Sequence, residues 1–193
     1  MSIVPASSHL EIKSFYAVRD SLAFHDACLI RLNVFVEEQG FPADIEFDKI
    51  DETCVHLLAY YVSPAWGSRS VPVGTLRLHP LPNSTIGKIS RVAVMKPHRH
   101  QGIARRLVSV AESVAKTMAL TRCILHSQAD KRIVYEKFGY RLMDIEHMEL
   151  QNGSEDIVNL DDIGGTDSEG RRGQFLEDGV WHVKMYKDVL QVP

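Results

Sequence analysis

The stretch Arg91-Val92-Ala93-Val94-Met95-Lys96-Pro97-His98-Arg99-His100-Gln101-Gly102-Ile103-Ala104 decides how this chain is read. Val92 and Val94 alternate as one face of a strand, and Pro97 stops it. From Ile103 onward, Ile103, Leu107, Val110 and Val114 recur at helical spacing. A short basic turn therefore joins a strand to a helix. Gly102 and Ala104 keep that turn free of bulk, so main-chain N–H groups can approach a ligand closely. The first amides of a helix have no partner inside it and carry partial positive charge. Arg99, His100, Arg105 and Arg106 add cationic side chains around them. Such a turn suits a pyrophosphate. It lacks the Gly-Lys-Ser/Thr ending of a P-loop and the three glycines of a dinucleotide fingerprint.

Outward from this turn, the pattern predicts alternating strands and helices. Glu11 to Val18 reads as a first strand. Asp20 or Ser21 caps a helix running to about Gln39, with Ala23, Ala27, Ile30 and Val34 on one face, ended by Gly40-Phe41-Pro42. Residues 41–52 form an acidic loop. Strands are expected at Cys54–Val62, Val73–His79 and Ile89–Val94, with turn-rich connections at Pro64–Pro72 and Pro80–Gly87. A helix from Gly102 to about Leu120 follows, then a strand at Arg122–Ser127 and a short helix at Asp130–Phe138 closed by Gly139. Tyr140–Leu150 and Trp181–Val189 complete the strands. Between these last two, Gln151–Gly173 is rich in Gly, Asp and Ser and reads as a long mobile loop. A helix linking strand 89–94 to strand 122–127 makes that pair parallel, and open α/β sheets bind ligands at the carboxyl ends of such strands.

The chain of 193 residues fits one domain, residues 1–193, with a real core. A hydrophobic fraction of 45% and a charged fraction of 24% are those of a soluble globular protein. A net charge of -3 gives no general pull toward nucleic acid or an anionic membrane, and no apolar run is long enough to span a bilayer. Cys28, Cys54 and Cys123 are scattered, and the first ten residues show no secretory signal. The chain is therefore expected to be reduced and cytoplasmic. The histidines show no metal-ligand spacing, so no metal is expected.

The motif Arg99-x-x-Gly102-x-Ala104 resembles the acetyl-coenzyme-A signature of the GNAT N-acetyltransferase superfamily. The element order is similar to that fold, and other segments fit in register. Lys88–Val94 looks like the family's fourth strand, and Tyr135-Glu136-Lys137-Phe138-Gly139-Tyr140 like its Tyr-Glu-Lys-x-Gly-Phe/Tyr segment. Arg31-x-x-Val34-Phe35-Val36-x-Glu38-Gln39 and Phe175-x-Glu177-Asp178-Gly179-x-x-His182 resemble a small bacterial-type subgroup. The resemblance implies an α/β mixed sheet of about six to seven strands flanked by helices, with a parallel pair splayed around acetyl-CoA as co-substrate.

It also implies roles. Main-chain groups of Val92, Ala93 and Val94 would pair with the pantetheine arm as if it were an extra strand, and the Val94 or Met95 amide would polarise the thioester carbonyl. Amides and side chains of Arg99, His100, Gln101, Gly102, Ile103, Ala104 and Arg105 would hold the pyrophosphate. Gln128 stands where relatives place an asparagine near the pantetheine, and Tyr135 is the candidate acid for the departing thiolate. The base is open. Many relatives carry a glutamate just before Arg91, but here that residue is Ser90. Glu38 and His182 lead a group of alternatives that includes Glu37, Glu46, Asp48, Asp51, Glu52 and His56.

The function implied is acetyl transfer from acetyl-CoA to a small primary amine, which the acidic run Glu37–Glu52 could attract if cationic. A non-catalytic acyl-CoA-binding module and a protein-lysine acetyltransferase are the alternatives. Edge strands near the C-terminus would permit a homodimer.

Overall fold

The computed structural model describes residues 8–64, 70–143 and 173–190. The loop expected to be mobile at 151–173 lies outside these residues, except for Gly173. The described residues group into two compact units, each built from two stretches of chain. The first holds residues up to His79 with Ile89–Ser113, the second Pro80–Lys88 with Val114 onward.

The first unit opens with strand β1, His9–Tyr16, and helix α1, Ser21–Arg31, capped by the Asp20 carboxylate, which accepts from Ala23 N at 3.1 Å. The single long helix expected to reach Gln39 does not form. At Leu32 the winding widens into a π-helical segment, Leu32–Glu38. Val34 is nonetheless buried beside Ala23, Ala27 and Ile30, so the apolar face continues through the change. β2, Val55–Val62, runs antiparallel to β1 and to β3, Ser70–Pro80. Its residues Val55–Ala59 are all buried, as a continuous apolar run demands when both sheet faces are covered. β3 tolerates Pro72 in its interior because the register slips there, leaving Val73 as an extra residue between Gly74 and Pro72. Gly74 faces helix α2, Ile103–Thr117. A Cβ there would stand 3.1 Å from Ile103 Cγ2 and 3.2 Å from Leu107 Cδ1.

β4, Ile86–Val94, begins in the second unit and finishes in the first. Its first residues neighbour β5, Arg122–Gln128, and the α2 crossover makes that pair parallel, as the sequence required. The second unit continues with α3, Arg132–Glu136, preceded by a 3-10 turn at Ala129–Lys131 and closed by Gly139 at φ +91°. β6, Arg141–Leu142, is the described part of the strand expected at 140–150. β7, Gln174–Glu177, and β8, Val180–Asp188, follow, with β8 between β5 and both β6 and β7. A small core of Ile86, Ile124 and Tyr186 anchors this unit.

Among the described residues the sheet has eight strands, where the resemblance implies about six to seven. The addition is β7, which forms a hairpin with β8. Asp178 at φ +51° and Gly179 at φ +76° both take left-handed backbone, the signature of a tight type I′ turn.

Candidate functional site

The basic turn after β4 is built as the sequence implied. Gly102 sits at φ +77° with no atom within 4 Å of where a Cβ would stand, and His100 is also left-handed at φ +63°. Open space therefore faces the start of α2. Among the described residues, no loop or strand carbonyl accepts from the amides of His100 to Ala104. Gly102 to Ala104 carry the first amides of α2, and with those of His100 and Gln101 before them they are available to an anion. Gln101 is fixed from outside: its Oε1 accepts from Tyr61 OH at 2.6 Å.

The side chain of Arg99 does not face that opening. Its guanidinium makes a two-pronged pair with Glu38, at 2.6 and 2.7 Å, and its Nε donates to Val94 O at 2.9 Å. Arg99 is thus a brace between the end of the π-helical segment, the end of β4 and the turn. The same pair bears on Glu38. The Arg99 hydrogen bond holds its carboxyl below the ordinary range, which weakens it as a base. Of the two candidates for polarising a thioester carbonyl, Met95 N already donates to Val73 O at 2.9 Å.

The acidic loop is neither solvated nor free to attract a cation at its buried positions. Arg31, 1% exposed, donates from Nε to Glu46 at 2.6 Å and from Nη1 to Asp51 at 2.8 Å. Arg77 Nη1 reaches Asp48 at 2.7 Å and Asp51 at 3.1 Å, and its Nε donates to Ser90 Oγ at 3.0 Å. Arg91, strained at φ +54° in β4, pairs with Glu46 at 3.1 Å and donates to Ile45 O at 2.8 Å. Burial would raise the Asp51 carboxyl, but the Arg31 hydrogen bond and the charges of Arg31 and Arg77 outweigh it and hold it low. His56 is buried in the same cluster, its Nε2 2.9 Å from Asp51 O and its ring 5.7 Å from that of Phe15. Glu37 pairs with Asn33 at 2.9 Å. The arginines therefore hold Glu46, Asp48 and Asp51 in the framework of the unit.

In the second unit, Tyr135 lies on α3 with its ring edge-on to Phe138 at 5.9 Å and to Tyr140 at 6.2 Å. Its hydroxyl has no hydrogen-bond partner among the described residues, and burial pushes the phenol up to about 12. Such a hydroxyl stays protonated at any working pH and keeps its hydrogen for an incoming acceptor. Gln128 and His182 are directly opposite each other across β5 and β8. His182 Nδ1 lies 2.9 Å from Val180 O and so carries the hydrogen.

The sequence reading missed a third group on this face. His126, two residues before Gln128, has its Nδ1 3.0 Å from Oε2 and 3.2 Å from Oε1 of Glu177 on β7. Burial pushes the imidazole below its ordinary value, against the opposing pull of the Glu177 hydrogen bond. Burial thus favours the neutral ring, and Nδ1–H donates to the carboxylate. Burial would raise Glu177. That hydrogen bond, with Lys88 and His182 nearby, instead takes it down to about 2. The signal was present: His126 interrupts the apolar run Cys123-Ile124-Leu125, and Asp178-Gly179 marks the hairpin that brings Glu177 back. Among the described residues, no group of His, Cys, Asp and Glu could hold a metal, and no helix is long and apolar enough to cross a membrane.

A parallel strand pair joined by a helix that opens on a Gly-containing basic turn gives an α/β protein with an anion cradle at the helix start. The profile of the acetyltransferase (GNAT) family matches residues 37–140, just over half of the chain, and the chain belongs to that family. It is 37% identical over 127 residues to a candidate acetyltransferase of Bacillus subtilis (strain 168), covering 64% of this chain and 80% of that one. It is 35% identical to YyaT of the same organism over 168 residues, 86% of this chain and 88% of the relative. A candidate N-acetyltransferase from Lactobacillus plantarum, 26% identical, superposes with a TM-score of 0.67 over 94% of this chain and 99% of its own.

Proposed function

We propose that this protein transfers the acetyl group of acetyl-CoA to a small primary amine by direct attack. The observation that carries the reading is the Gly102 turn: left-handed backbone, open space before it, and a row of helix-start amides. The pyrophosphate would sit on the amides of His100 to Ala104. The pantetheine arm would run along β4 from Val92 to Val94, with the Val94 amide toward the thioester oxygen. The amine nitrogen attacks the carbonyl carbon and loses a proton to a base, the C–S bond breaks, Tyr135 supplies the proton that the thiolate takes up, and solvent reprotonates Tyr135.

Thiol release from acetyl-CoA across a panel of primary amines tests the activity. Amine-dependent release is expected; cofactor binding with no release for any amine would leave an acyl-CoA-binding module instead. Calorimetry on Gly102→Glu tests the cradle separately. The substitution sets bulk and negative charge before the amides on a strained φ, so CoA affinity is expected to collapse in a folded variant. Unchanged affinity would move the pyrophosphate elsewhere.

A further inference from the structure

We infer that His126 accepts the proton of the attacking amine through Nε2, with Glu177 as its positioning residue. This rests on the acetyl-transfer reading above and supplies the base that reading lacks. The first argument is geometric. The carboxylate accepts from Nδ1, which fixes the tautomer and leaves the lone pair on Nε2. Nε2 has no partner among the described residues. The side chain is 20% exposed, so a ligand can reach it. Phe175 packs edge-on at 4.9 Å and holds the ring in place. A carboxylate, a histidine and an unclaimed lone pair form the arrangement a base needs: one nitrogen fixed, the other open.

The second argument is placement. Residues two apart on a strand share a face, and directly opposed residues on antiparallel strands share it too. His126, Gln128, Lys184 and His182 therefore line one face of β5 and β8. His126 lies two residues before Gln128, which the family resemblance sets near the pantetheine arm. The other candidates are weaker by the same criteria. Glu38 is held by Arg99, Ser90 by Arg77, and His182 is oriented by a main-chain carbonyl, which supports an imidazolium less than a carboxylate does.

The charged groups around the ring set its working range. Lys88 from β4 and Lys184 from β8 oppose a second positive charge, while Glu177 from β7 favours it. His182 from β8 bears on Glu177. In the step itself, the amine nitrogen bonds to the carbonyl carbon and becomes more acidic. Its proton passes to Nε2, the C–S bond breaks, and the sulfur takes the Tyr135 proton. The products are the N-acetyl amine and free CoA thiol. Solvent then takes the proton from His126 and returns one to Tyr135.

The test is kcat/KM against pH for wild type, His126→Gln and Glu177→Gln, read by thiol release with two amines of different basicity. The limb that stays fixed when the amine changes belongs to the enzyme. Wild type is expected to rise through such a limb below ~6.5. His126→Gln is expected to lose that limb and ~100-fold or more of kcat/KM while binding CoA normally. Glu177→Gln removes the charge that favours the imidazolium, so its limb is expected to move to lower pH. A His126→Gln enzyme with native CoA affinity and near-native kcat/KM overturns the base and leaves the transfer reading intact. Should His126→Gln fail to fold, an unmoved limb in Glu177→Gln overturns it equally. Wild type that releases no thiol with any amine overturns the transfer reading, and the base with it.

Discussion

Two polar clusters in this protein use similar groups in opposite ways. In the first unit, Arg31, Arg77 and Arg91 meet Glu46, Asp48 and Asp51 in a cluster whose main members are almost fully buried and multiply bonded. In the second unit, His126 and Glu177 are 20% and 38% exposed, and the imidazole keeps a lone pair unclaimed. A buried cluster whose carboxylates are each held by arginine has little left to offer a ligand, and it holds the chain in place. A cluster that is part open and one bond short can bind or move a proton. Charge alone does not mark a reactive site. Spare bonding capacity within reach of solvent does.

The largest expected effect comes from breaking the closed cluster. Arg31→Met keeps length and removes the charge, stranding Glu46 and Asp51 without their main partner. Losing one member of a buried ionic group typically costs ~3–5 kcal/mol. Chemical denaturation should show a lower midpoint with an unchanged slope. The acid side gives a second reading. Asp51 is held below its ordinary value of 3.8, so its contribution is complete above that value and is lost as pH falls toward the folded one. Wild type should therefore lose stability as pH drops below ~4. In Arg31→Met the loss over that window should shrink. An equal slope in both proteins would show that Asp51 does not depend on Arg31.

The next effect belongs to the open side. Tyr135→Phe removes an oxygen that no described residue holds, so packing should be unchanged. If that hydroxyl serves the departing thiolate, kcat should fall ~100-fold or more with cofactor affinity retained. Near-native turnover with a good amine would return Tyr135 to a packing role.

The same contrast explains what could be read from the chain in advance. The turn at Pro97–Ala104 was legible because local rules write it: a proline stops a strand, and a helical period follows. β7 was not, because Gln174–Glu177 is short and half-exposed and shows no apolar run, although Asp178-Gly179 announces a hairpin. That arginines hold Glu46, Asp48 and Asp51 was not legible, because those arginines lie far off in sequence. Arg31 follows Ala27 by four residues and so falls on the buried face of α1, a placement that calls for a buried anion. His126 and Glu177 lie 51 residues apart, and only the β5–β8–β7 pairing unites them.

The smallest effect tests the case between the two clusters. Glu38 and Arg99 form a two-pronged pair, yet their side chains are 30% and 31% exposed. The pair is saturated like the first cluster and open like the second. Water can replace either partner, so Glu38→Gln should shift the melting temperature little. The freed Arg99 still donates to Val94 O, which keeps the end of β4 in place. Some loosening of the turn is expected to raise the KM for acetyl-CoA while kcat stays near native. A base would behave otherwise. Were Glu38 the proton acceptor, the amide would abolish its function, kcat would collapse, and the acid limb would vanish. The pH profile of Glu38→Gln therefore decides which property matters. An intact limb means that a satisfied carboxylate stays structural even at the surface. A lost limb means that exposure alone suffices, and the distinction drawn from the two clusters fails.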